Sequence, residues 1–212
     1  AASFADIDND GKADLFVTTV RGGNVLFHNL GDGKFRDISH DAGLDYVGHS
    51  AGLVFFDFDN DGLLDLFVCN VGKFTTDERG DGGYYRGIAK GFYSHLNPSL
   101  SERSLLYKNL GHLKFQLMPP EVLSHSAWSG EASFSDVNGD GWSDLYVLSM
   151  QGDYHLYLNQ GGKRFVEATE NYFRKTPWGA MGLKFFDFNN DGFQDLYLVN
   201  GYVSASKEES YW

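Results

Sequence analysis

The sequence predicts an all-β protein, a β-propeller built from four-stranded antiparallel blades. Three observations carry this expectation. A nine-residue acidic loop recurs four times in 212 residues. Each copy is flanked by apolar, aromatic and β-branched residues of the kind that favour strands. Turns rich in Asn and Gly recur downstream of the first three copies.

The clearest loop runs from Asp57 to Asp65, as Asp-Phe-Asp-Asn-Asp-Gly-Leu-Leu-Asp. Oxygen-bearing side chains occupy places one, three, five and nine, and Gly62 occupies place six. A hard cation such as calcium takes roughly six to eight oxygens, and the EF-hand supplies its first ones from places one, three and five with a glycine at six. Here the closing carboxylate comes earlier, and Phe55-Phe56 and Leu66-Phe67-Val68 flank the loop. That context points to a calcium loop at a β-hairpin bend. The other copies are Asp6 to Asp14, Asp136 to Asp144 and Asp187 to Asp195. Asx-turns with solvated carboxylates would explain one aspartate per turn. They do not explain four ligand positions crowded together.

The expected ligands are therefore Asp6, Asp8, Asp10 and Asp14, then Asp57, Asp59, Asp61 and Asp65, then Asp136, Asn138, Asp140 and Asp144, and finally Asp187, Asn189, Asp191 and Asp195. Backbone carbonyls at place seven complete each set, from Lys12, Leu63, Trp142 and Phe193. Asn138 and Asn189 carry no charge, so loops three and four are expected to bind more weakly.

The first aspartates are spaced by 51 residues (6 to 57), 79 (57 to 136) and 51 (136 to 187). A period near 50 marks a blade-type repeat. Strand one enters each loop and strand two leaves it. Strand three is expected at 25–28, 105–108 and 155–158, and strand four around Phe35, Phe115 and Phe165. Asn29, Asn109 and Asn159 open the turns between strands three and four, where Asn and Gly tolerate positive φ. Four-stranded sheets at this period form a propeller. The units are expected to start near residues 1, 51, 130 and 181, with an insertion at 72–103.

The motif, with Asn109-Leu110-Gly111 and Phe115, Asp37-Ile38-Ser39 leading to Ala42-Gly43-Leu44, and Trp178-Gly179 leading to Phe185-Phe186-Asp187, resembles the FG-GAP or VCBS repeat of integrin α-subunit propellers. The fuller pattern is most similar to the cartilage acidic protein (ASPIC/UnbV) family. The resemblance implies calcium in each hairpin loop and a ring usually of seven blades. About three and a half blades are expected here, continuous with further blades of one polypeptide or completed by a second chain. It also implies a ligand-binding face opposite the calcium loops, where the insertion and His40, His49, His125, Trp128 and Trp178 are expected. Residues 201–212 are expected to begin a similar excursion.

Net charge is −12, and 14 of the 29 acidic residues lie in the four loops. Bound calcium would offset much of that charge, and the acidity argues against nucleic acid as a partner. Cys69 is the only cysteine, so no disulfide forms within the chain, and a strand thiol reads as a small core residue. No run is apolar for the roughly 18 residues a membrane helix needs. Asn97-Pro98-Ser99 is not a glycosylation acceptor because proline occupies the middle.

No catalytic couple stands out. Gly48-His49-Ser50-Ala51-Gly52 has the spacing of a nucleophile elbow but leads into a strand, where the elbow needs a helix. The histidines show no transition-metal spacing. The expectation is a non-catalytic, calcium-binding propeller acting as an extracytoplasmic binding, adhesion or scaffold module, secreted, periplasmic or on the cell surface. Its partner is expected to be protein or carbohydrate. The alternative is a propeller enzyme acting on polysaccharide as a lyase or hydrolase.

Overall fold

The computed structural model describes residues 1–89, 91, 100–150, 152–174 and 179–200. Unit one is a sheet of β1 (Ala2–Ala5), β2 (Asp14–Val17), β3 (Val25–Gly31) and β4 (Lys34–Asp37), in that spatial order. Unit two repeats it with β5 (Ser50–Phe56), β6 (Asp65–Asn70), β9 (Leu105–Asn109) and β10 (Phe115–Leu117). Between β6 and β9 the insertion forms its own hairpin, β7 (Thr75–Arg79) with β8 (Tyr85–Gly87). Unit three comprises β11 (Ser129–Ser135), β12 (Asp144–Ser149), β13 (His155–Asn159) and β14 (Phe165–Glu167). Unit four shows β15 (Ala180–Phe186) and β16 (Asp195–Asn200). One-turn helices α1 (Ser39–Ala42) and α2 (Thr169–Tyr172) follow β4 and β14. Every pairing is antiparallel, so the chain is the all-β, blade-type structure its period predicts.

The first strands of successive units lie side by side: β5 packs against β1 and β11, and β11 against β15. The sheets stack through three apolar layers. Phe16, Leu26, Leu66, Val68 and Tyr107 fill the layer between units one and two. Phe56, Phe67, Leu106, Leu145 and Phe165 fill the next, and Tyr146, Leu148, Leu156 and Leu183 the third. Successive strand residues face opposite sides. Leu66 and Val68 therefore join one layer while Phe67 and Cys69 join the next. This explains why β6 and β12 read as continuous apolar runs: both faces are covered. Each fully buried side chain of this kind contributes roughly 1.5–3 kcal/mol.

Each acidic loop joins strands one and two of its unit, and the turns after Asn29, Asn109 and Asn159 lie at the same end of the sheets. The insertion leaves from the opposite end, where Gly72 bridges Ser101. Asn97-Pro98-Ser99, His95, Trp178 and residues 201–212 lie outside the described residues.

Candidate metal centre

The loops share one backbone shape. Place four adopts a left-handed conformation at Asn9 (φ 59°), Asn60 (φ 56°), Gly139 (φ 75°) and Asn190 (φ 60°). Place six does so at Gly11, Gly62, Gly141 and Gly192, with φ between 84° and 90°. Nothing crowds these four glycines, so the conformation itself, not space, selects them. The turn lets the first aspartate gather two amides. Asp57 accepts from the N–H groups of Asp61 (3.2 Å) and Gly62 (2.8 Å), and Asp6, Asp136 and Asp187 do the same in their loops. The fifth-place Asp10, Asp61, Asp140 and Asp191 each accept from the residue at place seven. Lys12, Leu63, Trp142 and Phe193 thus enter the described hydrogen bonding through their N–H groups.

The ninth-place aspartates differ from the rest. Asp14, Asp65 and Asp144 are buried. Asp65 accepts from the Phe58 N–H (3.0 Å) and the Asn109 N–H (2.8 Å), tying its loop to strand three. Asp14 and Asp144 repeat both bonds. Burial pushes the Asp65 carboxyl up to about 7 against the lowering effect of those two amides, and burial raises Asp144 likewise.

The third-place carboxylates give the test of whether a cation fits. Asp8 Oδ1 and Asp59 Oδ1 are buried and accept no hydrogen bond. A buried, unpartnered carboxylate oxygen is costly unless a positive charge meets it. Around them, one carboxylate oxygen each from Asp6, Asp8 and Asp14 lies within 4.8 Å of the others, and Asp57, Asp59 and Asp61 form a matching group. Burial, with Asp10 and Asp14 nearby, raises the Asp8 carboxyl above its ordinary range. These donor sets are all hard oxygens, which suits calcium. In loops three and four the third-place amides bridge instead: Asn138 Nδ2 donates to Asp140 (3.0 Å) and Asn189 Nδ2 to Asp191 (2.9 Å).

Sequence reading missed the links between loops. Asn9 Nδ2 donates to the Gly62 carbonyl and Asn60 Nδ2 to the Gly141 carbonyl, both at 3.0 Å, joining loop one to two and two to three. Asn109 and Asn159 reach back to the Ile7 and Phe58 carbonyls of the preceding loop. The recurrent Asn at place four and at the strand-three turn was the available signal. It missed two basic groups as well: His28 Nδ1 lies 2.9 Å from Asp14, and Lys108 contacts Asp59 and Asp61.

The opposite end departs from expectation in its side chains. His49, His125 and Trp128 are buried, and of the four described residues expected on that face only His40 stands exposed, paired with Asp45. His49 anchors the insertion at both ends: Nδ1 contacts Glu102 at 2.8 Å and Nε2 contacts Thr75 Oγ1 at 2.7 Å. Burial pushes the Glu102 carboxyl up, but the His49 hydrogen bonds outweigh it and hold the group low. Ser50, in the elbow-like stretch, is buried and bonds to Asn24 and Asn70. His125 bonds to Tyr157 and Ser129.

Comparison with known families matches FG-GAP-like repeats over residues 6–68 and 136–198, more than half of the chain. The chain belongs to the FG-GAP-like repeat family. Each matched segment runs from the first aspartate of one loop into strand two of the next unit. Cartilage acidic protein 1 of Xenopus tropicalis is 40% identical over 65 residues, 30% of this chain and 10% of that protein. The Homo sapiens protein of the same name is 38% identical over 69 residues, 32% of this chain and 10% of its own length. A T-cell immunomodulatory protein homolog of Plasmodium yoelii yoelii is 26% identical over 165 residues, 71% of this chain and 20% of that protein. The matches therefore span only a tenth to a fifth of these relatives. No described helix is long and apolar enough to cross a membrane.

Proposed function

We propose that this chain is a calcium-binding propeller segment that serves as an extracytoplasmic binding, adhesion or scaffold module. The observation that carries the reading is the pair of buried, unpartnered oxygens, Asp8 Oδ1 and Asp59 Oδ1, each set among further carboxylates. Calcium supplies positive charge to these two oxygens, which no described hydrogen bond reaches. The loop side chains of all four units, with the carbonyls of Lys12, Leu63, Trp142 and Phe193, hold the ion. Asp14, Asp65 and Asp144 hold their loops to strand three. Asn9 and Asn60 then pass order from one loop to the next.

The relatives named for cartilage support a place outside the cytoplasm. So does the affinity range of extracellular calcium modules, roughly 10⁻⁴ to 10⁻³ M, which cytosolic calcium does not fill. The end opposite the loops is the partner-binding face in this reading. Equivalent places in units one and three there form cavities of about 580 and 480 Å³, lined by acidic groups including Asp37 and Asp45 in one and Glu167 and Glu170 in the other. Exposed Met181, Phe186 and Tyr197 on the β15–β16 sheet support further blades continuing the stack.

The deciding experiment is a thermal melt with calcium, with chelator and with magnesium. A ligand tenfold above its Kd adds about 1.4 kcal/mol per site, roughly 6 kcal/mol over four sites. Chelation lowers the melting temperature, and magnesium restores it poorly because it demands a tighter octahedron. Superimposable melts with and without chelator would overturn the reading.

A second reading, an enzyme acting on polysaccharide, draws on the Thr75–His49–Glu102 series, which orders a hydroxyl, an imidazole and a carboxylate. The Thr75 N–H also points at His49 Nε2 (3.3 Å), and His49 is buried, so the series reads first as an anchor. Release of unsaturated or reducing sugars from a polysaccharide panel, abolished in Thr75→Val, would establish the enzyme.

A further inference from the structure

Asn29, Asn109 and Asn159 pair with Phe35, Phe115 and Phe165, which fixes equivalent positions on strand three. The residue just before each Asn changes from unit to unit: His28 and Lys108 reach the acidic loop of their own unit, while Leu158 packs against the third apolar layer. Lys108 Nζ contacts Asp59 Oδ2 and lies 2.8 Å from Asp61 Oδ2. Its ammonium also lies 5.9 Å from the centre of the Phe58 ring. Phe58 is buried, and only 23% of the Lys108 side chain is exposed. The lysine is therefore seated in the loop and is not a passing surface partner. In loop one the corresponding His28 faces the closing Asp14, and the cation at the fifth-place carboxylate is the exposed Lys12, 2.5 Å from Asp10.

We propose that Lys108 is a built-in cation of loop two, which holds the loop in shape without calcium and opposes calcium entry. Asp59 and Asp61 each give one oxygen to the ammonium, so an ion that takes the free Asp59 Oδ1 meets the charge of Lys108 across the same carboxylate. With four carboxylates and one ammonium, loop two presents the same net charge as loop three with its three carboxylates. The ranking expected from carboxylate count alone, with loop two stronger than loop three, is therefore cancelled. This inference rests on the calcium reading above for its affinity half, while the metal-free half stands on the ion pairs alone.

The test compares the full chain with Lys108→Met and Lys108→Arg, by calcium titration calorimetry and by melts in chelator. Repulsion between one charge and a divalent ion about 5 Å apart in water corresponds to roughly tenfold in affinity. Lys108→Met tightens one site by about that factor, and Lys108→Arg leaves it near wild type. Adding Asp61→Ala to Lys108→Met abolishes the gained affinity, which assigns it to loop two. In chelator Lys108→Met melts below both wild type and Lys108→Arg, the opposite sign from its effect on calcium binding. A loss of packing alone would lower both. Unchanged calcium affinity in Lys108→Met, with wild type binding calcium normally, overturns the inference and leaves the proposed function standing. Absence of calcium binding in every variant overturns the proposed function and the competition together. The chelator melts then still decide whether Lys108 is the loop's counter-cation, and equal melts of Met and Arg variants refute it.

Discussion

Replacing Asp65 by Asn separates the structural work of the ninth-place aspartate from metal binding. The Asp65 side chain is fully buried, and its two oxygens accept the Phe58 and Asn109 N–H groups at 3.0 and 2.8 Å. Asn offers one carbonyl oxygen, and its NH₂ then faces the other N–H. One buried donor is left unsatisfied, at about 1–3 kcal/mol. Domains of this size shift by about 2–4 °C per kcal/mol, so the melting temperature falls by roughly 2–12 °C. The control is Asp61→Asn, whose amide oxygen still accepts the Leu63 N–H at the surface. That change weakens one of the two Lys108 contacts while the Asp59 contact remains, a loss on the order of 1 kcal/mol or less. The assay is a thermal melt in calcium-free buffer with chelator at about pH 4, where the burial that pushes Asp65 up to about 7 keeps the folded wild-type group as neutral as its replacement, so that only the lost acceptor is compared. Asp65→Asn melts below Asp61→Asn under these metal-free conditions. Equal melting of the two variants would refute the claim that the ninth place ties the loop to strand three.

Three other outcomes are expected. Gly161 and Gly162 both have positive φ (65° and 71°), but only at Gly162 does a Cβ meet Asp59 Cα at 2.8 Å, with open space at Gly161. Both alanine variants bear the left-handed strain of about 1–2 kcal/mol. Gly162→Ala melts lower still and weakens loop two, and equal melting of the pair would sink the contact argument. Burial and the neighbouring His155 push His125 down to about 3. The unfolded chain protonates near 6.5, so this stability is intact above that pH and is lost as pH falls toward 3, with a ceiling on the order of 4–5 kcal/mol. His125→Gln flattens the acid limb of the stability curve, and an unchanged slope counts against it. Burial raises the Cys69 thiol far above its usual range, so iodoacetamide labels it only in denaturant, and rapid labelling of the folded chain would contradict its core position.

The sequence by itself determined what local chemistry controls. Aspartates at places one, three, five and nine with a glycine at six specify the loop, because only a left-handed place six lets one carboxylate collect successive amides. The apolar runs after each loop specify strand two, and the strands described begin and end within a few residues of where the pattern puts them. The Asn–Gly turns locate strands three and four for the same backbone reason. The period near 50 then specifies stacked blades, since one four-stranded sheet with two apolar faces cannot stand alone.

Tertiary structure decided which of these residues carry which load. Asp65 and Asp61 look alike in the sequence, yet one is buried under strand three and the other stays at the surface. That difference depends on the Asn109 N–H, which lies 44 residues away along the chain. Lys108 enters loop two from the same strand, across the whole insertion, and no spacing rule connects them. His49 was legible only as a linker residue. Packing turned it inward to hold Thr75 and Glu102, and so fixed the root of the insertion hairpin. Local patterns encode backbone conformation because neighbouring residues dictate it. Burial and charge pairing depend on distant segments that meet only when the blades stack, and so the electrostatics of each loop were settled in the fold.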